Sequence, residues 1–152
     1  MIKDNPKKLV IASHNKGKIS EFKSLLSSYN VKIIPSSELN ISEVDETGKT
    51  FEENAILKVK SVPNNLLTLA DDSGLCVSAL NGRPGIFSSR FAATDQKRID
   101  RVLSELRNNN NRSAFFVANI CLSSPEGKVI IDVEDKCYGN ILLNRRGKGG
   151  FG

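Results

Sequence analysis

The order of its apolar segments constrains this chain most: a short hydrophobic run passes through a polar, glycine-containing loop into a segment with helical spacing. Leu9-Val10-Ile11-Ala12 reads as a buried strand, and Ser13-His14-Asn15-Lys16-Gly17-Lys18 follows it directly. Ile19, Phe22, Leu25, Leu26 and Tyr29 then recur as one face of a helix would. Val31-Lys32-Ile33-Ile34 is a second strand, stopped by Pro35. Strands alternating with helices make this an α/β chain.

The same alternation continues. Residues 36–49 read as a polar, acidic loop carrying Glu43, Asp45 and Glu46. Thr50 and Glu53 have capping-box spacing, which starts a helix at Phe51. Phe51, Ala55, Val59 and Val62 line one face of it, with Asn54 and Lys58 beside that face. Leu66 to Ala70 is an apolar strand expected to end at Asp71-Asp72-Ser73-Gly74, and Asn81 to Gly85 is turn-rich. Ile99, Val102, Leu103 and Leu106 mark an amphipathic helix opened by Thr94 or Asp95. After an exposed loop at Asn108 to Asn111 come strands over 113–122 and 128–133, joined by a hairpin turn, and a last strand around 138–143. Neither repeats nor a linker interrupt the chain, so residues 1–152 are expected to form a single α/β domain.

Composition narrows the function classes. A net charge of +5 favours an anionic partner, but 6% aromatic residues and no Trp argue against a base-stacking nucleic-acid binder. Three cysteines without a CxxC pair, and a single histidine, argue against a structural zinc site and a disulfide framework. No apolar stretch is long enough to cross a bilayer and no signal peptide is visible, so no membrane partner and a cytoplasmic address are expected.

Two strand ends carry candidate chemistry, since ligands of open α/β sheets bind beyond such ends. The Ser13–Lys18 loop offers hydroxyl, amide, N–H and ammonium donors at a helix N-terminus, which suits a phosphate or an ordinary polar cap. Asp71-Asp72 either holds Mg²⁺ together with substrate phosphates, or forms a solvated turn. Asp45-Glu46 is a source of a second metal carboxylate or a solvated loop. Lys58 is either a phosphate ligand or a lysine snorkelling past an apolar face. Together these are the parts for breaking a phosphoanhydride.

The residues then resemble a family. Ala12-Ser13-His14-Asn15-Lys16-Gly17-Lys18 with Glu21-Phe22, Glu46-Thr47-Gly48-Lys49-Thr50-Phe51-Glu52-Glu53-Asn54-Ala55, Leu57-Lys58, and Ala70-Asp71-Asp72-Ser73-Gly74-Leu75 lie in its order and spacing. So do Leu80-Asn81-Gly82-Arg83-Pro84-Gly85-Ile86, Ser89-Arg90-Phe91 and Gly149-Gly150-Phe151-Gly152. The chain resembles the Ham1-like pyrophosphatases of non-standard purine nucleoside triphosphates, also called inosine triphosphatases or XTP/dITP diphosphatases. The resemblance implies a long, mixed, twisted central sheet flanked by helices, two lobes around a cleft, and a homodimer. It implies Mg²⁺-dependent hydrolysis of ITP, dITP and XTP to the monophosphate and pyrophosphate. By position, Asp72 matches the proton acceptor and a metal ligand, and Glu46 (with Asp45 as its rival) the other metal ligand. Ser13, His14, Asn15, Lys16, Gly17, Lys18, Lys58, Ser73, Phe151 and Gly152 match substrate contacts.

Two departures carry expectations of their own. Ser13-His14 stands where the family has Thr-Gly, so His14 adds a phosphate donor or partly blocks the loop. Gly152 falls inside the family's GFGYD motif, so the chain is expected to lack the C-terminal part of the fold. The alternatives to an active enzyme are a truncated, catalytically impaired remnant and a basic nucleic-acid-binding module.

Overall fold

In the computed structural model, which describes residues 5–63, 65–147 and 151, the first apolar run becomes β1 (Lys7–Ile11). Helix α1 (Lys16–Leu25) carries the chain to β2 (Val31–Pro35), which pairs with β1 in parallel, Leu9 opposite Ile33. On its other side β1 pairs in parallel with β3 (Leu67–Val77), Leu9 opposite Leu67. Where β1 is paired on both edges, from Leu9 to Ile11, its residues are apolar and buried, while Lys7 and Lys8 at its start are exposed.

Successive β1 side chains point to opposite faces. Leu9 and Ile11 join Ile19, Phe22 and Leu26, so this face is covered by the α1 segment. Val10 and Ala12 join Ala55, Val59 and Val62, so the other is covered by α2 (Phe51–Lys60). The expected α1 stripe is too long: the helix ends at Leu25, leaving Leu25 and Tyr29 exposed. Beyond it the Ser27 hydroxyl takes the Ser24 carbonyl, the kind of side-chain bond that competes with helix continuation. Pro35 is accommodated as the last residue of an outer strand, and a 3-10 turn over Ser36–Leu39 opens what the sequence presents as plain loop.

Helix α2 begins where its cap predicts. Thr50 Oγ1 accepts from the Glu53 backbone N–H at 3.0 Å, while the Glu53 carboxylate accepts from Lys49 N at 2.6 Å rather than from Thr50. Thr50→Ala is therefore expected to cost about 1 kcal/mol of stability, read as a lower urea midpoint at unchanged slope. Helix α3 (Asp95–Glu105) is capped by Thr94, whose hydroxyl accepts from Lys97 N at 3.2 Å; Asp95 is its first residue.

The hairpin strands are β4 (Ser113–Ser123) and β5 (Val129–Asn140), completing a mixed five-stranded sheet in the order β2-β1-β3-β4-β5. Strand β3 does not end at Ala70 but runs on through Asp71-Asp72-Ser73-Gly74. The separate strands expected at 128–133 and 138–143 are one strand, β5, which lies at the sheet edge and is exposed from Ile130 onward. An edge strand without a buried face has no hydrophobic period to read.

Two compact units divide the chain. Met1–Asp72 with Asn119–Val133 holds β1, β2, α1 and α2 and the two clusters described above. Ser73–Ala118 with Glu134–Gly152 has its own core, in which Val102 and Leu106 at the end of α3 pack with Leu75, Val77, Leu80, Phe91 and Ala114. Among the described residues no helix is long and apolar enough to cross a membrane.

Candidate functional site

Because β3 continues past Ala70, its two acids are part of the sheet. Asp71 and Asp72 are 7% and 5% exposed, which rules out the solvated turn. Adjacent strand residues face opposite ways, and the packing clusters show which way. Leu69 lies with the α1 side of the sheet and Ala70 with the α2 side. Asp71 therefore shares a face with α1 and Asp72 with α2.

Each helix sends a lysine to its acid. Lys18 Nζ lies 2.5 Å from Asp71 Oδ2. Lys58 Nζ lies 3.0 Å from Asp72 Oδ1, 2.7 Å from Glu46 Oε1 and 3.0 Å from the Asp71 carbonyl oxygen. Lys58 thus turns into the site instead of snorkelling outward, its side chain only 15% exposed. Glu46 joins Asp72 on this ammonium, while Asp45 is exposed, so the geometry separates two neighbours that the sequence leaves as rivals.

Glu46 and Asp72 both contact the Lys58 ammonium. Burial pushes the Asp72 carboxyl above its ordinary value, outweighing the pull of Lys58 and the hydrogen bond from Asn54, with Glu46 adding repulsion. Burial pulls Lys58 down, but its two carboxylates together outweigh it and hold the ammonium above its ordinary value. A pair of carboxylate oxygens from separate segments is a donor set that fits Mg²⁺. No group of three or more His, Cys, Asp or Glu that could hold a metal occurs among the described residues, so substrate phosphates would have to complete the shell.

The Ser13–Lys18 loop is organised from within. Asn15 caps α1, its Oδ1 accepting from Gly17 N at 2.9 Å and Lys18 N at 3.3 Å. Two amides that the sequence offers to a phosphate are thus already bonded to the cap. Ser13 Oγ accepts from Asn15 N at 3.2 Å, and His14 Nε2 donates to the Ile41 carbonyl at 3.0 Å. A carbonyl only accepts, so that nitrogen carries the proton. Lys16 is exposed.

The remaining expected contacts belong to the second unit or lie outside the described residues. Ser73 belongs to the second unit. Phe151 lies there too, edge-on to Phe116 at 6.4 Å, in a pocket of about 440 Å³ whose walls include Leu75, Ile99, Arg145 and Arg146. Gly152, with Lys148, Gly149 and Gly150, lies outside the described residues. Asn54 is the site residue that sequence reasoning missed: fully buried, it donates from Nδ2 to Asp72 Oδ2 at 3.0 Å. The available signal was a polar residue placed one helical turn before Lys58 beside an apolar face.

Residues 9–152 match a family model described as the Ham1 family. A dITP/XTP pyrophosphatase of Prochlorococcus marinus subsp. pastoris is 54% identical over 148 residues, covering 96% of this chain and 76% of the relative. A solved HAM1 protein from Coxiella burnetii superposes with a TM-score of 0.84 at 40% identity, covering 96% of this chain and 78% of its own. The Ham1 protein of Staphylococcus aureus gives 0.82 at 41% identity, with the same two coverages.

Proposed function

The chain belongs to the Ham1 family, and from that premise we infer that it hydrolyses dITP, XTP and ITP to the monophosphate and pyrophosphate. The observation that carries this reading is that two helices bring lysines to adjacent buried acids of β3, Lys18 to Asp71 on one face and Lys58 to Asp72 and Glu46 on the other. Half-buried cations beside buried acids suit a polyphosphate and the cation that accompanies it.

The division of labour follows from which group faces which. Glu46 and Asp72 would hold Mg²⁺, which when bound supplies charge neutralisation for the triphosphate oxygens. Lys18 and Lys58, both on short tethers to acids, turn to the phosphates and stabilise the charge that develops on departing pyrophosphate. Asp72, whose carboxyl is already raised in proton affinity, orients a water in line with the α-phosphorus and accepts its proton. The water oxygen bonds to the α-phosphorus as the bond to the bridging oxygen breaks, and pyrophosphate leaves. Asp71 is the rival for the water; its carboxylate lies on the α1 side, paired with Lys18. The Asn15 cap holds the start of α1, and so the backbone that carries Lys18.

The test is product analysis with dITP, XTP, ITP, dGTP and ATP in the presence of Mg²⁺. Pyrophosphate is expected as the product, with kcat/KM for dITP and XTP about 10²-fold or more above that for ATP. Orthophosphate as the product, or equal rates for all five nucleotides, would count against the reading.

A further inference from the structure

Asn54 makes two hydrogen bonds that tie together the two segments supplying carboxylates. Its Nδ2 donates to Asp72 Oδ2 at 3.0 Å, and its Oδ1 accepts from Gly48 N at 2.8 Å. Chemistry fixes this orientation, because a carboxylate only accepts and a backbone N–H only donates. A flipped amide would lose both bonds.

The bridge is tight at its far end. A Cβ at Gly48 would lie 2.6 Å from Asn54 Oδ1 and 2.7 Å from the Glu53 Cβ, so the chain two residues after Glu46 passes hard against α2. The Lys49 N–H bonded to the Glu53 carboxylate at 2.6 Å pins the same stretch one residue later. Asn54 and Lys58 are four residues apart and thus share one helix face. One grips Asp72 Oδ2 and the other Asp72 Oδ1, which fixes the plane of the carboxylate.

We propose that Asn54 is a positioning residue for the pyrophosphatase reaction, setting the Asp72 carboxylate and the Glu46–Gly48 segment in one register. This rests on the activity inferred above. Leucine has about the right volume for the site but neither bond, and an acid there would set a second carboxylate against Asp72. A purely structural asparagine would affect the melting temperature and leave the folded enzyme's turnover intact. A positioning one lowers kcat while the KM for dITP holds.

The experiment compares the full chain with Asn54→Leu, and with Gly48→Ala, which attacks the bridge from its other end. Each folded variant is expected to lose roughly 10- to 100-fold in kcat with KM within about threefold, and to bind Mn²⁺, followed by the EPR signal of the free ion, roughly 10- to 100-fold more weakly. A folded variant with either kcat or the Mn²⁺ midpoint within about threefold of the parent overturns the proposal. If instead the parent itself releases no pyrophosphate from dITP, the activity reading fails, a result distinct from an active parent with an indifferent Asn54.

Discussion

Replacing Asp72 by Asn is expected to cut pyrophosphate release from dITP by about 10²- to 10⁴-fold while the chain stays folded. The amide has the carboxylate's shape but cannot take the water's proton. Its effect on folding comes from opposed contributions. Asp72 offers one oxygen to Lys58 and the other to Asn54, both of them donors. An amide has one oxygen, so one donor is left facing an NH₂ group, at a cost of about 1–3 kcal/mol. Against that, burial disfavours the ionised Asp72, and the neutral amide escapes this penalty. The melting temperature is therefore expected to move far less than the rate. Steady-state kinetics beside a thermal melt reads both; turnover near the parent's in a folded Asp72→Asn chain would move the role to Asp71.

That prediction depends on geometry that was only partly legible in the sequence. The first strand, its loop, α2 and its Thr50 cap follow from local pattern, and the structure keeps them. The acids do not. Asp, Ser and Gly are poor strand formers, so Asp71-Asp72-Ser73-Gly74 marks a strand end by local rules. Pairing within the sheet and lysines delivered by two helices override that preference and leave the acids buried in mid-strand. What Asn54 binds was illegible for a related reason: its partners, Gly48 and Asp72, lie 6 and 18 residues away. Glu46 could not be told from Asp45 by spacing, because only the reach of Lys58 distinguishes them. The resemblance supplied the roles, and the structure shows which helix brings each lysine to which acid.

Lys58 carries the other large effect, because it is the cation that two acids share. In Lys58→Met, Glu46 and Asp72 lose their common partner, and breaking this part-buried pair from one side costs up to about 3–5 kcal/mol. The deficit should depend on pH in a definite direction. Burial already places the folded Asp72 carboxyl above its ordinary value, and Lys58 is the strongest influence opposing that rise. Removing it raises the carboxyl further, so the native variant holds a proton that the unfolded chain releases. Such a group favours the fold below the ordinary carboxylate value, and that contribution is lost as pH climbs through the raised one. Urea unfolding of parent and variant is thus expected to differ most at neutral pH and to converge toward pH of about 4. Added Mg²⁺ should stabilise the variant more than the parent, since it competes with no ammonium for the same oxygens and stabilisation grows with affinity. A deficit that is flat with pH would mean that Lys58 contributes packing rather than charge. If Mg²⁺ has no effect on either chain, Glu46 and Asp72 are not its ligands in the nucleotide-free protein.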